Sequence, residues 1–127
     1  MFAVSPGQTG VAELGRYEGT DLVGFAGKRM PGWRSVFCGA LQISPEVLRG
    51  LARSAGVHIY SDANDVVMGG EGFLAVHATT GGEKTLTLPQ AAGLQDLGTG
   101  ETMPPARVHR YRMTQGDTRL FALRGGR

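Results

Sequence analysis

The sequence predicts an α+β fold in which a partial α/β layer, made of short strands and one helix, precedes a small antiparallel β-sandwich. One segment, residues 45–55, has the periodicity of an amphipathic helix, whereas the rest consists of short apolar or alternating segments. Glycine accounts for 21 of the 127 residues, which favours many tight turns over long helices. A chain of this length can bury one modest core or two small ones.

Three consecutive strands are predicted within residues 1–40, where glycine-containing turns separate the apolar segments. The turns are expected at residues 19–21 and at the Pro31-Gly32 pair. Trp33 follows the second turn, and we expect its ring to anchor packing unless it lies exposed in a concave site.

The helix at residues 45–55 has clear start and stop signals. Ser44 can cap its first turn, Pro45 suits the first helical position, and Gly56 suits a left-handed stop. Its apolar residues fall on one stripe, so we expect a surface helix that packs on a sheet. Residues 57–60 are predicted to form a strand that completes an α/β unit. The predicted domains are therefore 1–60, the remnant of an α/β domain, and 61–127, a β-sandwich.

Six short strands with turn residues between them are predicted in residues 61–127, as in a small sandwich or barrel. The central element is residues 73–89, which we interpret as two strands folded back on each other through Gly81 and Gly82. Alternation along these strands predicts a buried face made of four residues: Leu74, Val76, Leu86 and Leu88.

Charge and composition argue against several classes of partner. The net charge is +2, from 13 basic and 11 acidic residues, and the basic residues near position 110 are interpreted as a solvated strand face. No apolar run approaches the roughly 18 residues of a membrane span. We therefore expect no nucleic-acid partner and no membrane contact. The single cysteine, Cys38, cannot form an internal disulfide.

No catalytic or metal site is predicted from the residues. Glycoside hydrolysis requires two carboxylates about 5–10 Å apart, but the acidic residues lie at predicted turns, caps and strand edges. The segment GGEKT differs from a phosphate-binding loop because Glu83 separates glycine from lysine and a strand follows. The three histidines lack the close spacing of a metal site, and no cofactor is expected. A functional role for His77 stays open.

Four segments carry a family resemblance: LRGLARSAGVHIYSD, DVV, FLAVHATTGGEKTLTLP and TRLFAL. Together they resemble the C-terminal part of β-galactosidase-like glycoside hydrolases, over about residues 33–124 and most strongly over 48–89. In that family a catalytic barrel precedes an amidotransferase-like trimerisation domain and a small β-sandwich. The catalytic carboxylates of the family belong to the barrel, and no position in this chain matches them.

The resemblance implies a noncatalytic accessory region that supports packing or oligomerisation, through contacts with a catalytic barrel or with other copies of the chain. The short length leads us to expect a truncated or split reading frame. The alternative is a carbohydrate-binding module, in which exposed aromatic rings stack on a sugar; the candidates are Trp33, Tyr60 and Tyr111, with Phe121 as a further aromatic. A third hypothesis, an independent hydrolase, would use Glu13 and Glu83 as its acid pair.

Overall fold

The computed structural model describes residues 2–125, which consist mainly of antiparallel strands with one helix. This confirms the β-rich part of the predicted fold. The chain divides into two compact units, Met1–Ser44 and Pro45–Arg127, earlier than the predicted boundary after residue 60. The predicted strand at residues 57–60 is wrong, since this segment has no regular structure. It is held to a later strand instead, where the Thr87 N–H donates to the Tyr60 carbonyl oxygen at 2.7 Å.

The first unit is an antiparallel meander of three strands, as predicted: β1 (Val11–Arg16), β2 (Val23–Met30) and β3 (Trp33–Cys38). Pro31 and Gly32 form the turn between β2 and β3, and Gly32 has a φ of 80°, which suits a type II turn. The central strand β2 supplies the buried residues Val23 and Ala26.

The helix α1 (Pro45–Ser54) begins and ends close to the predicted positions. The chain leaves it at Gly56, whose φ of 77° is the left-handed conformation expected at a helix stop. The predicted packing of its apolar stripe on a sheet is wrong, because no residue of α1 is buried and Leu48 is 50% exposed.

Polar contacts hold α1 to the segment that precedes the second sheet. Asn64 Nδ2 donates to Glu46 Oε1 at 2.9 Å, and Arg53 forms an ion pair with Asp62. These contacts, rather than a buried apolar face, account for the position of the helix within its unit.

The second unit contains a five-stranded antiparallel sheet with the order β4-β5-β8-β6-β7. Its strands are β4 (Val66–Gly70), β5 (Phe73–His77), β6 (Gly82–Asp96), β7 (Thr102–Met113) and β8 (Thr118–Arg124).

The hairpin predicted at residues 73–89 is wrong, although both of its strands exist. In the structure β5 pairs with β4 and β8, whereas β6 pairs with β7 and β8. Two hydrogen bonds keep the segment between β5 and β6 from forming a tight turn. The Ala78 N–H donates to the Asp117 carbonyl oxygen at 2.9 Å, which extends the ladder to β8, and the Thr79 N–H donates to Asp65 Oδ1 at 2.9 Å.

Strand β6 joins two segments that the sequence predicts as separate strands, at residues 83–88 and 92–97. Its register with β7 moves from Thr87↔Val108 to Ala92↔Ala106, so extra residues bulge from β6 around Pro89. Proline has no N–H to donate and is therefore tolerated at such a bulge. The bulge bends the strand, as bulges commonly do.

The bend gives the sheet two layers around one core. The predicted buried face is confirmed, since Leu74 and Val76 of β5 and Leu86 and Leu88 of β6 are all at most 2% exposed. They belong to one apolar cluster with Phe121 of β8, which is fully buried. The unit is therefore β-sandwich-like, with the core between the two halves of a folded sheet.

We predict that Phe121→Ala destabilises the second unit by about 3–5 kcal/mol, because it removes a large side chain and leaves a cavity. The measurement is the free energy of unfolding from urea denaturation followed by circular dichroism. Leu120→Ala is the matched control, since Leu120 is the next residue of the same strand and is exposed. Equal losses for the two variants would contradict the assignment of Phe121 to the core.

Candidate functional site

Of the four aromatic residues proposed for sugar contact, Phe121 is fully buried and cannot stack on a sugar, and the other three lie in different environments. Trp33 is 58% exposed at the start of β3 in the first unit. Tyr60 and Tyr111 belong to the second unit and are both half-buried against its apolar cluster.

Tyr60 lies beside a small apolar cleft of about 160 Å³, formed with Leu88, Pro89 and Leu123. Its ring meets the His58 ring edge-on, with the ring centres 4.7 Å apart. The cleft adjoins the bend in β6, so the bulge around Pro89 creates it.

Tyr111 is enclosed on several sides. Its ring meets the Phe121 ring at 5.2 Å between centres, and the Arg119 guanidinium lies 5.7 Å from its centre. Burial raises the pKa of Tyr111 to about 12, with a further increase from the charge of Asp65 and an opposing effect from Arg119. The ring face beneath Arg119 is not open to a sugar.

Asp65 and Lys84 form a buried ion pair that sequence reasoning missed. Lys84 Nζ lies 2.8 Å from each of the two Asp65 carboxylate oxygens, and the side chains are 5% and 2% exposed for Lys84 and Asp65. Lys84 Nζ also donates to Thr80 Oγ1 at 3.3 Å, while the Thr79 hydroxyl and N–H donate to Asp65. The pair therefore connects the start of β4, the β5–β6 connection and β6.

Burial alone would raise the pKa of Asp65, but hydrogen bonds from Lys84 and the Thr79 N–H, together with the Lys84 charge, lower it below its ordinary value. The carboxylate is thus ionised at neutral pH. Lys84 is the lysine of the GGEKT segment, and its role in this ion pair agrees with the rejection of a phosphate-binding loop. The burial of Lys84 could have been predicted from the alternation along β6, because Lys84 lies on the same face of the strand as Leu86 and Leu88.

A second buried carboxylate, Asp96, organises the turn after β6. Its Oδ1 accepts hydrogen bonds from the N–H groups of Gly98 and Thr99 at 2.8 and 3.1 Å. Its Oδ2 receives no hydrogen bond but lies 3.4 Å from Arg119 Nη1, which pairs its charge. Arg119 also lies 3.8 Å from Glu101. These contacts stabilise a turn and do not bring two carboxylates to an open cleft.

A polar cleft of about 460 Å³ lies beside the Gly81-Gly82 pair and includes Arg112 and Arg119. Arg119 is already paired with Asp96, and its Nη2 donates to the Arg112 carbonyl oxygen at 3.1 Å. This leaves Arg112 as the exposed cation of the cleft.

The histidines have structural partners. His109 is 4% exposed, and its Nε2 lies 2.9 Å from the Ala92 carbonyl oxygen and 3.0 Å from that of Ala106. Because both partners can only accept, Nε2 carries the hydrogen, and His109 ties the bent region of β6 to β7. His77, the histidine selected from the sequence, is exposed and hydrogen-bonds to Thr118 Oγ1 at 2.8 Å.

The outer face of the β4-β5-β8 layer carries exposed apolar side chains beside one polar row, in which His77 and Thr118 follow Val66 across the strands. Strand register places Met68, Ala75 and Leu120 in one row across the three strands, on the side away from the core. We call four exposed side chains of this face the outer patch: Val66, Met68, Phe73 and Leu120. The outward face of a one-sided antiparallel sheet is commonly polar, so an apolar patch here indicates a contact surface.

Within residues 2–125, no group of three or more His, Cys, Asp or Glu side chains is arranged to hold a metal ion. None of the helices in that part of the chain has the length and apolar composition to cross a membrane. Comparisons with protein-family models, curated proteins and solved structures find no match to this chain.

We predict that Lys84→Met destabilises the second unit by about 3–5 kcal/mol, because it leaves the Asp65 carboxylate buried without its counterion. Adding Asp65→Asn should recover part of the loss, since no buried charge remains and an oxygen still accepts from Thr79. Arg53→Met is the control, because it removes an exposed ion pair worth less than about 1 kcal/mol.

The pH dependence of the unfolding free energy provides a second test of the ion pair between Asp65 and Lys84. Because the folded pKa of Asp65 lies below its unfolded value, the unfolded chain binds more protons, and stability decreases as the pH falls below about 4. Urea denaturation between pH 2 and pH 7 should show a smaller acid-induced loss in the double variant than in the unaltered protein. Equal losses would contradict this role of Asp65.

Proposed function

We propose that this chain is a noncatalytic accessory portion of a β-galactosidase-like glycoside hydrolase. In this proposal residues 1–60 are the end of an α/β domain, and residues 61–127 are the C-terminal β-sandwich. The chain supports packing of the enzyme or contacts between its copies, and the reaction itself takes place in a separate catalytic barrel.

The outer patch is the observation that carries the proposal. Met68 and Leu120 are 67% and 44% exposed, although both belong to a sheet whose other face is well packed. Burying apolar area contributes about 25 cal/mol per Å², so a covered patch of this kind stabilises an association. A docking module needs such a face, whereas a catalytic cleft needs polar groups that converge on a substrate.

The buried charged groups support the same proposal. Asp65 and Lys84 pair with each other, and Asp96 is bonded to its own turn and to Arg119. In this arrangement the charge of each buried carboxylate is paired within the protein, and neither carboxylate faces an open cleft.

We predict that the full chain binds a β-galactosidase-like hydrolase from which the C-terminal sandwich has been deleted, and raises its melting temperature. Leu120→Lys should weaken binding by about tenfold or more, because it places an ammonium group in an apolar interface. Titration calorimetry and differential scanning fluorimetry provide the measurements.

Val108→Lys is the matched control for this experiment, since Val108 is an exposed apolar strand residue that lies on β7 rather than in the outer patch. It should leave binding unchanged. Failure of the unaltered chain to bind, or equal losses in both variants, would refute docking through the outer patch.

Carbohydrate binding is the second candidate, and the exposure of Trp33 favours it. An indole ring with an open face can stack on the apolar side of a sugar ring. Tyr60 offers a second place beside its apolar cleft.

If this candidate holds, calorimetry with galactosides and glucans should detect heat of binding, and Trp33→Ala should reduce it while Tyr111→Phe should preserve it. The reason is that Trp33 is exposed, whereas the Tyr111 ring is enclosed by Phe121 and Arg119. The absence of heat with every sugar would eliminate this candidate.

A further inference from the structure

The two edges of the five-stranded sheet differ in how they are protected. Strand order places β4 at one edge and β7 at the other. Strand β7 contains two prolines and three arginines, which discourage pairing with another strand: Pro104, Pro105, Arg107, Arg110 and Arg112. Strand β4, with the sequence VVMGG, has no charge and no proline. It is a short, apolar and unprotected edge.

The ladder shows which backbone groups of β4 face outward. The Ala78 N–H donates to Asp117, and the Leu123 N–H donates to the Gly72 carbonyl oxygen, so the even-numbered residues in and beside β5 bond toward β8. Antiparallel pairing alternates, and the odd-numbered residues of β5 therefore bond to Val66, Met68 and Gly70 of β4. The N–H and C=O groups of Val67 and Gly69 consequently point away from the sheet.

We propose that β4 pairs antiparallel with β4 of a second copy of this chain, so that two five-stranded sheets join across a twofold axis. This inference rests on the proposed accessory function, because it assigns the contact between copies to a particular edge. Pairing would satisfy the outward N–H and C=O groups of Val67 and Gly69 in both copies.

The charges around β4 favour a second copy as its partner. In an antiparallel twofold contact the residues at the axis approach their own counterparts, so a charge near the centre of the strand would meet a like charge. Strand β4 is uncharged, and the charge of Asp65, which precedes it, is neutralised by Lys84. Glu71 follows the strand, and antiparallel pairing places the two Glu71 side chains at opposite ends of the contact.

The side chains favour the same partner. Val66 and Met68 lie on the outer face together with Leu120, so pairing continues the outer patch across the axis. The glycines at positions 69 and 70 carry no side chain to obstruct a neighbouring strand, and a Cβ added at Gly70 would meet no atom within 4 Å. The apolar residues at one end of β4 can thus lie opposite the glycines of the other copy.

The test is the mass of the full chain in solution, from light scattering and sedimentation velocity over a range of concentrations. The unaltered chain should form a dimer. Met68→Lys should weaken the dimer by about tenfold or more, because the two ammonium groups lie close to each other across the axis. Val67→Pro should do the same, since it removes an outward N–H but keeps the three N–H groups that bond to β5.

Leu120→Lys is the matched control, because Leu120 lies on the same face but two strands from the edge. It should leave the dimer intact, although it should weaken binding to the truncated hydrolase. Because the Met68 side chain is 67% exposed, Met68→Lys should leave the fold of each copy intact. It therefore tests the dimer even if Val67→Pro fails to fold.

Hydrogen exchange adds a direct readout of the edge. The amides of Val67 and Gly69 should become protected as the protein concentration rises, whereas those of β7 should not change. A chain that stays monomeric, or a dimer that Leu120→Lys disrupts as strongly as Met68→Lys does, would overturn pairing through β4. Binding to the truncated hydrolase without dimerisation would overturn the edge contact alone and leave the accessory function supported.

Discussion

The buried pair between Asp65 and Lys84 constrains how three segments of the second unit lie against one another. Asp65 precedes β4, Lys84 lies near the start of β6, and Thr79 of the β5–β6 connection also bonds to the carboxylate. One charged contact therefore fixes three segments that are apart in the sequence. Because an unpaired buried charge is costly, other arrangements of these segments are disfavoured strongly. The pair helps to keep β5 and β6 apart, where a short glycine turn would have joined them as a hairpin.

The bend in β6 determines where the second layer of the sheet lies. Pro89 lies where the ladder to β7 is interrupted, and His109 donates to the carbonyl oxygens of Ala92 on β6 and Ala106 on β7, which form the first pair after this interruption. This buried imidazole gives the backbone oxygens beside the bulge a hydrogen-bond donor within the protein. The core forms because this bend brings Leu86 and Leu88 over β5 and Phe121.

The same folding leaves one layer with an apolar exterior and an open edge. The outer patch and the free N–H and C=O groups of Val67 and Gly69 adjoin each other along β4. A surface with both features can contribute apolar burial and backbone hydrogen bonds to one association. This combination is the physical basis for the proposed accessory function and for the proposed pairing of two copies.

The sequence alone determined local structure: the three strands of the first unit, the helix ending before Gly56, and the alternation that buries Leu74, Val76, Leu86 and Leu88. These features depend on periodicity and turn residues within a few positions of one another. Tertiary structure alone decided that β5 and β6 do not pair, that Lys84 meets Asp65, and that the apolar stripe of α1 is not buried. Those outcomes depend on contacts between distant segments, and local patterns carry no information about which distant partner a strand or a charge will meet.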